Sequence, residues 1–69
     1  MGDPRLGSRL KEIRTAAGLT QAELAERAGV SRKTINTVEN GVFVPSTLLA
    51  LSLAQALDTT VERLFYLAK

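Results

Sequence analysis

The stretch TQAELAERAGVSRKTINTVENG, residues 20–41, decides the fold. Thr20 and Glu23 have the spacing of a capping box, which predicts a helix that begins at Gln21. Gly29 can adopt the left-handed backbone conformation that ends many helices, so the chain is expected to turn there. The inward side chains of this helix are expected to be Leu24, Ala25 and Ala28.

A second helix is predicted over residues 31–40, capped by Ser31 and closed by Gly41. At about 100° per residue its two sides separate. The inner side carries Thr34, Ile35 and Val38, and the outer side carries Arg32, Lys33, Asn36, Thr37 and Asn40. Arginine and lysine bind guanine acceptors, asparagine pairs with adenine, and a threonine methyl group contacts thymine. The outer side therefore suits the major groove of DNA.

This stretch resembles the helix-turn-helix of the phage-repressor and Cro-like bacterial regulators, the Xre-type family. The matching residues are Thr20, Gln21, Leu24, Ala25, Gly29, Val30, Ser31, Ile35, Val38, Glu39, Asn40 and Gly41. The similarity continues through Pro45-Ser46, LAQAL and VERLF, so it covers nearly all of the 69 residues. The resemblance implies an all-α fold, a compact five-helix bundle of the phage-repressor DNA-binding-domain type.

Composition narrows the possible functions. A chain of 69 residues is expected to form a single domain, residues 1–69, with a modest core. The sequence has no Cys and no His, which removes disulfides, thiolate sites and the usual metal ligand and proton shuttle. It also lacks a glycine-rich phosphate loop. We therefore expect no enzymatic activity, no cofactor, no metal and no small-molecule ligand. No apolar run approaches about 18 residues, so we expect no membrane association and a cytoplasmic location.

Basic residues are concentrated in two places, although the net charge is only +2. Residues 1–19 carry four of them against two acidic residues, and Arg32 and Lys33 add charge at the start of the second motif helix. A localised basic surface matters more for phosphate binding than total charge does.

The flanking segments are expected to support the motif. Residues 1–5 are predicted to be a loose N-terminal arm. Apolar residues at helical spacing predict a first helix that ends at Gly18: Leu6, Leu10, Ile13 and Ala17. A fourth helix is predicted to begin after Ser46 or Thr47 and to end at Asp58, with Leu49, Ala50, Leu53, Ala54 and Leu57 facing the core. Thr60 is expected to cap a fifth helix whose inward residues are Val61, Leu64 and Phe65.

The resemblance also implies roles for individual residues. Of the expected base-reading residues, Arg32, Lys33, Asn36 and Thr37, the resemblance favours Arg32, Lys33 and Thr37. The expected phosphate contacts are Gln21, Ser31, Asn40 and Arg9, and the resemblance implies the contact of Gln21. For each of these the alternative is an ordinary exposed side chain. Family members have an ion pair that joins the first helix to the motif, which here corresponds to Arg14 and Glu39. The alternative is a surface pair that contributes at most about 1 kcal/mol.

Four apolar residues have no place in the predicted core and are the expected dimer interface: Leu48, Leu51, Tyr66 and Leu67. Scattered exposed apolar residues are also common in monomers, so this alternative stays open. A dimer would bind two half-sites about 34 Å apart on a palindromic operator.

The sequence thus predicts a sequence-specific, double-stranded DNA-binding transcriptional regulator that acts as a homodimer, with the helix at residues 31–40 in the major groove. The alternative is a protein-interaction module with the same fold, either antitoxin-like or a coactivator-like adaptor. Many relatives carry a basic residue just after the Asn-Gly pair, whereas this chain has Val42-Phe43-Val44 there. That loop slightly favours the alternative.

Overall fold

In the computed structural model, residues 2–68 are described and form five helices with a short two-stranded sheet. The prediction of a compact five-helix domain is confirmed. In chain order the elements are β1 (Leu6–Ser8), α1 (Leu10–Ala16), α2 (Gln21–Ala28), α3 (Arg32–Glu39), α4 (Thr47–Ala56), α5 (Val61–Leu64) and β2 (Phe65–Leu67).

The ends of α2 follow from the sequence. The Thr20 hydroxyl accepts from the Glu23 backbone N–H at 3.0 Å, and the Glu23 carboxylate accepts from the Thr20 backbone N–H at 2.8 Å. Both halves of the capping box are therefore present. At the other end Gly29 has φ 74° and ψ 32°, the left-handed conformation expected of it. The turn of the motif is thus set by residues within α2 and immediately beside it.

The start of α3 and of α4 is fixed in the same way. The Ser31 hydroxyl accepts from the Thr34 backbone N–H at 3.2 Å, and the Ser46 hydroxyl accepts from the Leu49 backbone N–H at 3.1 Å. Each serine satisfies one of the donors that a helix N-terminus leaves unpaired. After α4 the chain turns at Asp58, which takes a left-handed φ of 54°.

One fully buried aliphatic side chain from each helix meets at the centre of the domain. These residues have no exposed surface and are Leu10, Leu24, Ile35, Leu53 and Leu64. Smaller side chains fill the spaces between them, in keeping with the close packing of protein interiors. Because every helix contributes to the same core, the position of α3 depends on all the other helices.

The prediction that the first helix includes Leu6 was wrong. Helix α1 begins at Leu10, and β1 instead pairs antiparallel with β2, with Leu6 opposite Leu67. The positions of Leu6 and Leu10 fit helical spacing, but the segment between them finds backbone partners at the far end of the chain. That pairing joins segments about sixty residues apart, so no local pattern could reveal it.

For the fifth helix, the predicted inward residues are confirmed, but its extent and its cap were predicted wrongly. Leu64 and Phe65 are buried and Val61 packs against the core. Helix α5 ends at Leu64, Phe65 and Tyr66 belong to β2, and the Thr60 side chain makes no capping hydrogen bond.

Tyr66 lies directly opposite Gly7, and a Cβ atom at Gly7 would come within 2.3 Å of the Tyr66 ring. The Tyr66 ring therefore rests against Gly7. Any larger residue at position 7 would displace the ring.

Part of the predicted N-terminal arm is a hydrogen-bonded turn. The Asp3 carbonyl accepts from the Leu6 backbone N–H at 3.0 Å, and the Asp3 carboxylate forms an ion pair with Arg5, Nη2 to Oδ2 2.7 Å. Hydrogen bonds from the Arg5 side chain and backbone lower the pKa of Asp3 from 3.8 to about 2. Met1, the first residue of the arm, lies outside the described residues.

Candidate nucleic-acid interface

The outer side of α3 carries the four side chains expected to read bases. Arg32, Lys33 and Asn36 are exposed, Thr37 is half-buried, and all four line one shallow concavity. We call these four residues the reading face. Their common location is the arrangement that a helix needs if it is to present several side chains to one groove.

Hydrogen bonds within α3 fix the polar groups of its side chains. The Thr37 hydroxyl donates to the Thr34 carbonyl at 3.0 Å, and the Asn40 side-chain amide N–H donates to the amide oxygen of Asn36. The Ser31 hydroxyl lies 3.0 Å from the Thr34 hydroxyl, in addition to its capping bond. The orientation of each of these groups is therefore determined before any DNA is present.

Beneath α3 lies a buried ion pair. The Arg14 and Glu39 side chains are only 9% and 1% exposed, and Arg14 Nε lies 2.5 Å from Glu39 Oε2. Arg14 Nη1 also donates to the Leu19 carbonyl at 2.7 Å. The structure thus brings together the two residues expected to pair, and it places the pair in the interior rather than at the surface.

Gln21 belongs to the same network. Its side-chain Nε2 donates to Glu39 Oε1 at 3.0 Å, so the first residue of α2 is tied to the last residue of α3. Both carboxylate oxygens of Glu39 have partners, which a buried charge requires. The network fixes α1, α2 and α3 relative to one another and removes the only acidic side chain of α3 from its exposed side.

Arg9 has a partner that the sequence did not reveal. Its guanidinium carbon lies 4.2 Å from the centre of the Tyr66 ring, and its backbone N–H donates to the Leu64 carbonyl at 2.7 Å. The stacking is a cation–π contact between an exposed arginine and an exposed tyrosine. Of the expected phosphate contacts, Arg9 therefore lies beside the strands, whereas Gln21, Ser31 and Asn40 lie on or beside the ends of α2 and α3.

Comparison with known proteins identifies the family. The sequence profile of the helix-turn-helix family matches residues 10–64, which includes all five helices. The chain belongs to the Xre-type helix-turn-helix family. It is 40% identical over 60 residues to the transcriptional regulator YgzD of Bacillus subtilis, covering 87% of this chain and 91% of that one. The resemblance to phage-repressor and Cro-like regulators is confirmed, and the protein is a DNA-binding transcriptional regulator.

Solved structures of helix-turn-helix proteins agree with this. The restriction-modification controller protein C.AhdI from Aeromonas hydrophila superposes with a TM-score of 0.76 at 42% identity, over 78% of this chain and 82% of that one. The P22 c2 repressor in complex with a synthetic operator superposes with a TM-score of 0.75 at 28% identity, over 78% and 82% of the two chains. Strands β1 and β2 of this helix-turn-helix regulator lie outside the region that the family profile matches.

The four residues expected at a dimer interface are all exposed, and three of them border concavities of the surface. Leu51 borders an apolar concavity between α4 and β2. Leu67 borders a neighbouring concavity, and Leu6 lines both of them. Leu48 borders a different hollow beside the α2–α3 turn, and Tyr66 packs on Gly7. The exposed fractions are 76% for Leu48, 55% for Leu51, 41% for Tyr66 and 82% for Leu67.

The loop between α3 and α4 carries three apolar residues in a row. Val42, Phe43 and Val44 are 57%, 43% and 42% exposed, so Phe43 does not enter the core.

Over residues 2–68, no helix of the regulator is long and apolar enough to cross a membrane. The same residues contain no group of three or more acidic side chains that could hold a metal ion, and the sequence has no His or Cys.

Proposed function

We propose that this regulator binds a palindromic operator as a homodimer, with α3 of each subunit in a major groove. The observation that carries the proposal is the arrangement around α3: a reading face with two exposed cationic side chains, opposite a carboxylate that is buried and paired. A helix with this distribution attracts the acceptor-rich major groove and presents no free carboxylate to it.

Phosphate contacts would position α3. Gln21 stands at the N-terminus of α2, where unpaired backbone N–H groups also face outward, and such a terminus favours an anion. Only one of the two side-chain N–H groups of Gln21 is used by Glu39, so the other can donate to a phosphate. Ser31, Asn40 and Arg9 would add contacts at the edges of the same surface.

The homodimer would use the exposed apolar residues. Leu48 and Leu51 lie one turn apart on α4, and both are more than half exposed. Large apolar side chains exposed together on a small domain favour association, and a two-fold interface would place two copies of α3 on the same side of the dimer. With half-sites one helical turn apart, the two helices would be separated by about 34 Å.

A second function is favoured by the loop between α3 and α4. Val42, Phe43 and Val44 form an exposed apolar segment without a basic side chain, next to the surface proposed to face DNA. A protein-interaction module, antitoxin-like or a coactivator-like adaptor, would use such a segment to bind a protein. Its binding to DNA would be weak and would depend little on salt, whereas binding dominated by phosphate contacts depends steeply on salt.

Selection from a random duplex library tests the principal proposal. The parent protein is expected to enrich a palindrome, and the double variant Arg32→Ala, Lys33→Ala is expected to enrich none. A control variant, Arg27→Ala, Arg63→Ala, removes the same charge from α2 and α5 and should retain the selected sequence. If the parent enriches nothing at low salt, the proposal fails and the protein-interaction module becomes the better explanation.

The homodimer has its own test, sedimentation equilibrium with and without the selected operator. Leu51→Lys is expected to give a monomer that binds one half-site weakly. Val42→Lys is the matched control for the measurement without operator, because Val42 is exposed to nearly the same extent, 57% against 55%. A Leu51→Lys protein that still forms dimers would exclude this part of α4 from the interface.

A further inference from the structure

We infer that the reading face recognises guanine and thymine on the strand that it contacts, because its two cationic side chains can only donate and its two side-chain oxygens, those of Asn36 and Thr37, already have partners within the helix. This inference rests on the proposed placement of α3 in the major groove and adds the chemistry of the bases to it. In the major groove, guanine offers the acceptors N7 and O6, and thymine offers the acceptor O4 and a methyl group. Cytosine presents only an amino group there, and adenine presents an amino group beside its single acceptor N7, so both need an acceptor on the protein for their amino groups.

Two members of the reading face can only donate. Arg32 carries a guanidinium group and Lys33 an ammonium group, and neither side chain has an acceptor. Both are exposed at the beginning of α3, so their donors are free to reach a base edge. Opposite an amino group of adenine or cytosine, either side chain would leave donors facing donors, which costs binding energy.

Thr37 is held so that its methyl group is the part left for DNA. Its hydroxyl donates to the Thr34 carbonyl at 3.0 Å and is therefore turned back along the helix. A threonine whose hydroxyl is engaged in this way presents its methyl group on the other side of Cβ. Thr37 lines the concavity of the reading face, so this methyl group is placed to contact the methyl group of a thymine.

Asn36 would be the natural partner for adenine, but its amide oxygen already has a partner within the helix. A bidentate pair with adenine needs the amide oxygen as an acceptor and the amide nitrogen as a donor. The oxygen of Asn36 already accepts from the side chain of Asn40 one turn later. The NH₂ group of the exposed Asn36 can donate, which suits O6 or N7 of guanine or O4 of thymine.

Most of the other side-chain oxygens of α3 and its caps also have a partner within the protein. Glu39 is the only acidic residue of the helix, and its side chain is 1% exposed and bonded to Arg14 and Gln21. The Ser31 hydroxyl accepts from the Thr34 backbone N–H. Among the residues described for α3 and its caps, every side-chain oxygen except that of Asn40 therefore has an internal partner.

The experiment begins with the selected operator and replaces its bases one at a time. Uracil in place of thymine removes only the methyl group, and 7-deazaguanine in place of guanine removes only the N7 acceptor. We expect one thymine per half-site at which uracil weakens binding about three- to fivefold, the size appropriate for one buried methyl group. We also expect at least one guanine at which 7-deazaguanine weakens binding about tenfold or more.

Variants at two positions assign these effects to residues. Thr37→Ser keeps the hydroxyl and removes the methyl group, so its binding should no longer distinguish thymine from uracil at that position. Thr37→Val keeps a methyl group there and should still distinguish them. Asn40→Ala frees the oxygen of Asn36 and should increase binding to operators with adenine at one position, measured relative to the parent operator.

The possible results separate this inference from the proposed function. If the library enriches no sequence, the placement of α3 in the groove fails and the inference fails with it. If an operator is found but every thymine tolerates uracil, or if Thr37→Ser discriminates as the parent does, the inference alone is overturned. A half-site in which adenine and cytosine are the bases whose modification weakens binding would overturn it as well.

Discussion

The helix-turn-helix and the terminal strands are built in opposite ways. In the motif, each turn and cap depends on residues no more than five positions apart, such as Thr20 with Glu23 or Ala25 with Val30. In the sheet, Leu6 and Leu67 are partners although nearly the whole chain separates them. The motif can therefore be disturbed one element at a time, whereas the sheet forms only when the rest of the domain has brought both ends together.

The largest effect is expected at Arg14 and Glu39, which join the first helix to the motif. Glu39→Ala leaves a buried guanidinium group without its counterion, so we expect a loss of about 3–5 kcal/mol in the free energy of unfolding. For a domain of this size that is a large part of the total. Urea denaturation followed by circular dichroism measures it.

A double variant provides the control for this prediction. Arg14→Met with Glu39→Leu replaces both charges by apolar groups of similar volume and is expected to recover much of the lost stability, because the cost comes from the unpaired charge. A double variant no more stable than Glu39→Ala would mean that the pair supports packing that these apolar groups cannot replace.

A smaller effect is expected where a single backbone angle ends a helix. Gly29 has φ 74° with open space around its missing Cβ, so Gly29→Ala costs only the left-handed conformation, about 1–2 kcal/mol. Asp58 takes φ 54° without being a glycine, so Asp58→Gly is expected to maintain or slightly increase stability. Thermal unfolding of the two variants gives the comparison. Equal losses in both would show that the backbone angle is not the cause.

The capping box of α2 should contribute about as much as a single N-cap. Thr20→Ala removes the hydroxyl that accepts from the Glu23 N–H and is expected to cost about 1 kcal/mol in the free energy of unfolding. The hydrogen bond from the Thr20 backbone N–H lowers the pKa of Glu23 below its usual 4.5. The carboxylate therefore stabilises the fold above pH 4.5, and this contribution is lost as the pH falls through the lowered pKa.

Glu23→Gln tests the pH dependence. Unfolding curves between pH 3 and pH 7 should show that the parent loses more stability than the variant as the pH falls below 4.5. An identical decline in both proteins would mean that other carboxylates cause the loss of stability at low pH. Asp3, whose pKa is lowered to about 2, would then be the first residue to test.

The smallest effect is expected in the sheet. Tyr66→Ala removes the ring that rests on Gly7 and stacks under Arg9, an exposed cation–π contact that contributes about 0.5–1 kcal/mol. We expect faster amide hydrogen exchange in β1 and β2, with little change in α2 and α3. Arg9→Gln is the matched variant, because it removes the charge and leaves the ring in place. Equal acceleration of exchange in α2 and α3 would show that the two regions are not independent.

Much of the candidate site could be predicted because its signals are local. The caps at Thr20, Ser31 and Ser46 and the turn at Gly29 were all predicted from short sequence patterns, and the structure confirms them. The pair between Arg14 and Glu39 was expected only through the family resemblance. Composition alone gives no reason to join residues on two separate helices, 25 positions apart.

The remaining features depend on contacts that a sequence pattern does not contain. The positions of Leu6 and Leu10 favoured a longer first helix, and only the presence of β2 makes a strand the better solution. The stacking of Arg9 on Tyr66 follows from that strand pairing and could not be found without it. The hydrogen bond between the side chains of Asn36 and Asn40 could have been predicted from the sequence, because residues four positions apart are neighbours on a helix.

The pairing of β1 with β2 has a topological consequence. The Ala68 backbone N–H donates to the Arg5 carbonyl at 2.7 Å, so the two ends of the described chain leave the domain side by side. A short linker could join them, and the exposed loop at residues 42–44 offers a place to open the backbone instead. In such a circular permutant the order of the helices along the gene would change while their order in space would not. Any segments attached before β1 and after β2 would likewise emerge together from one edge of the regulator.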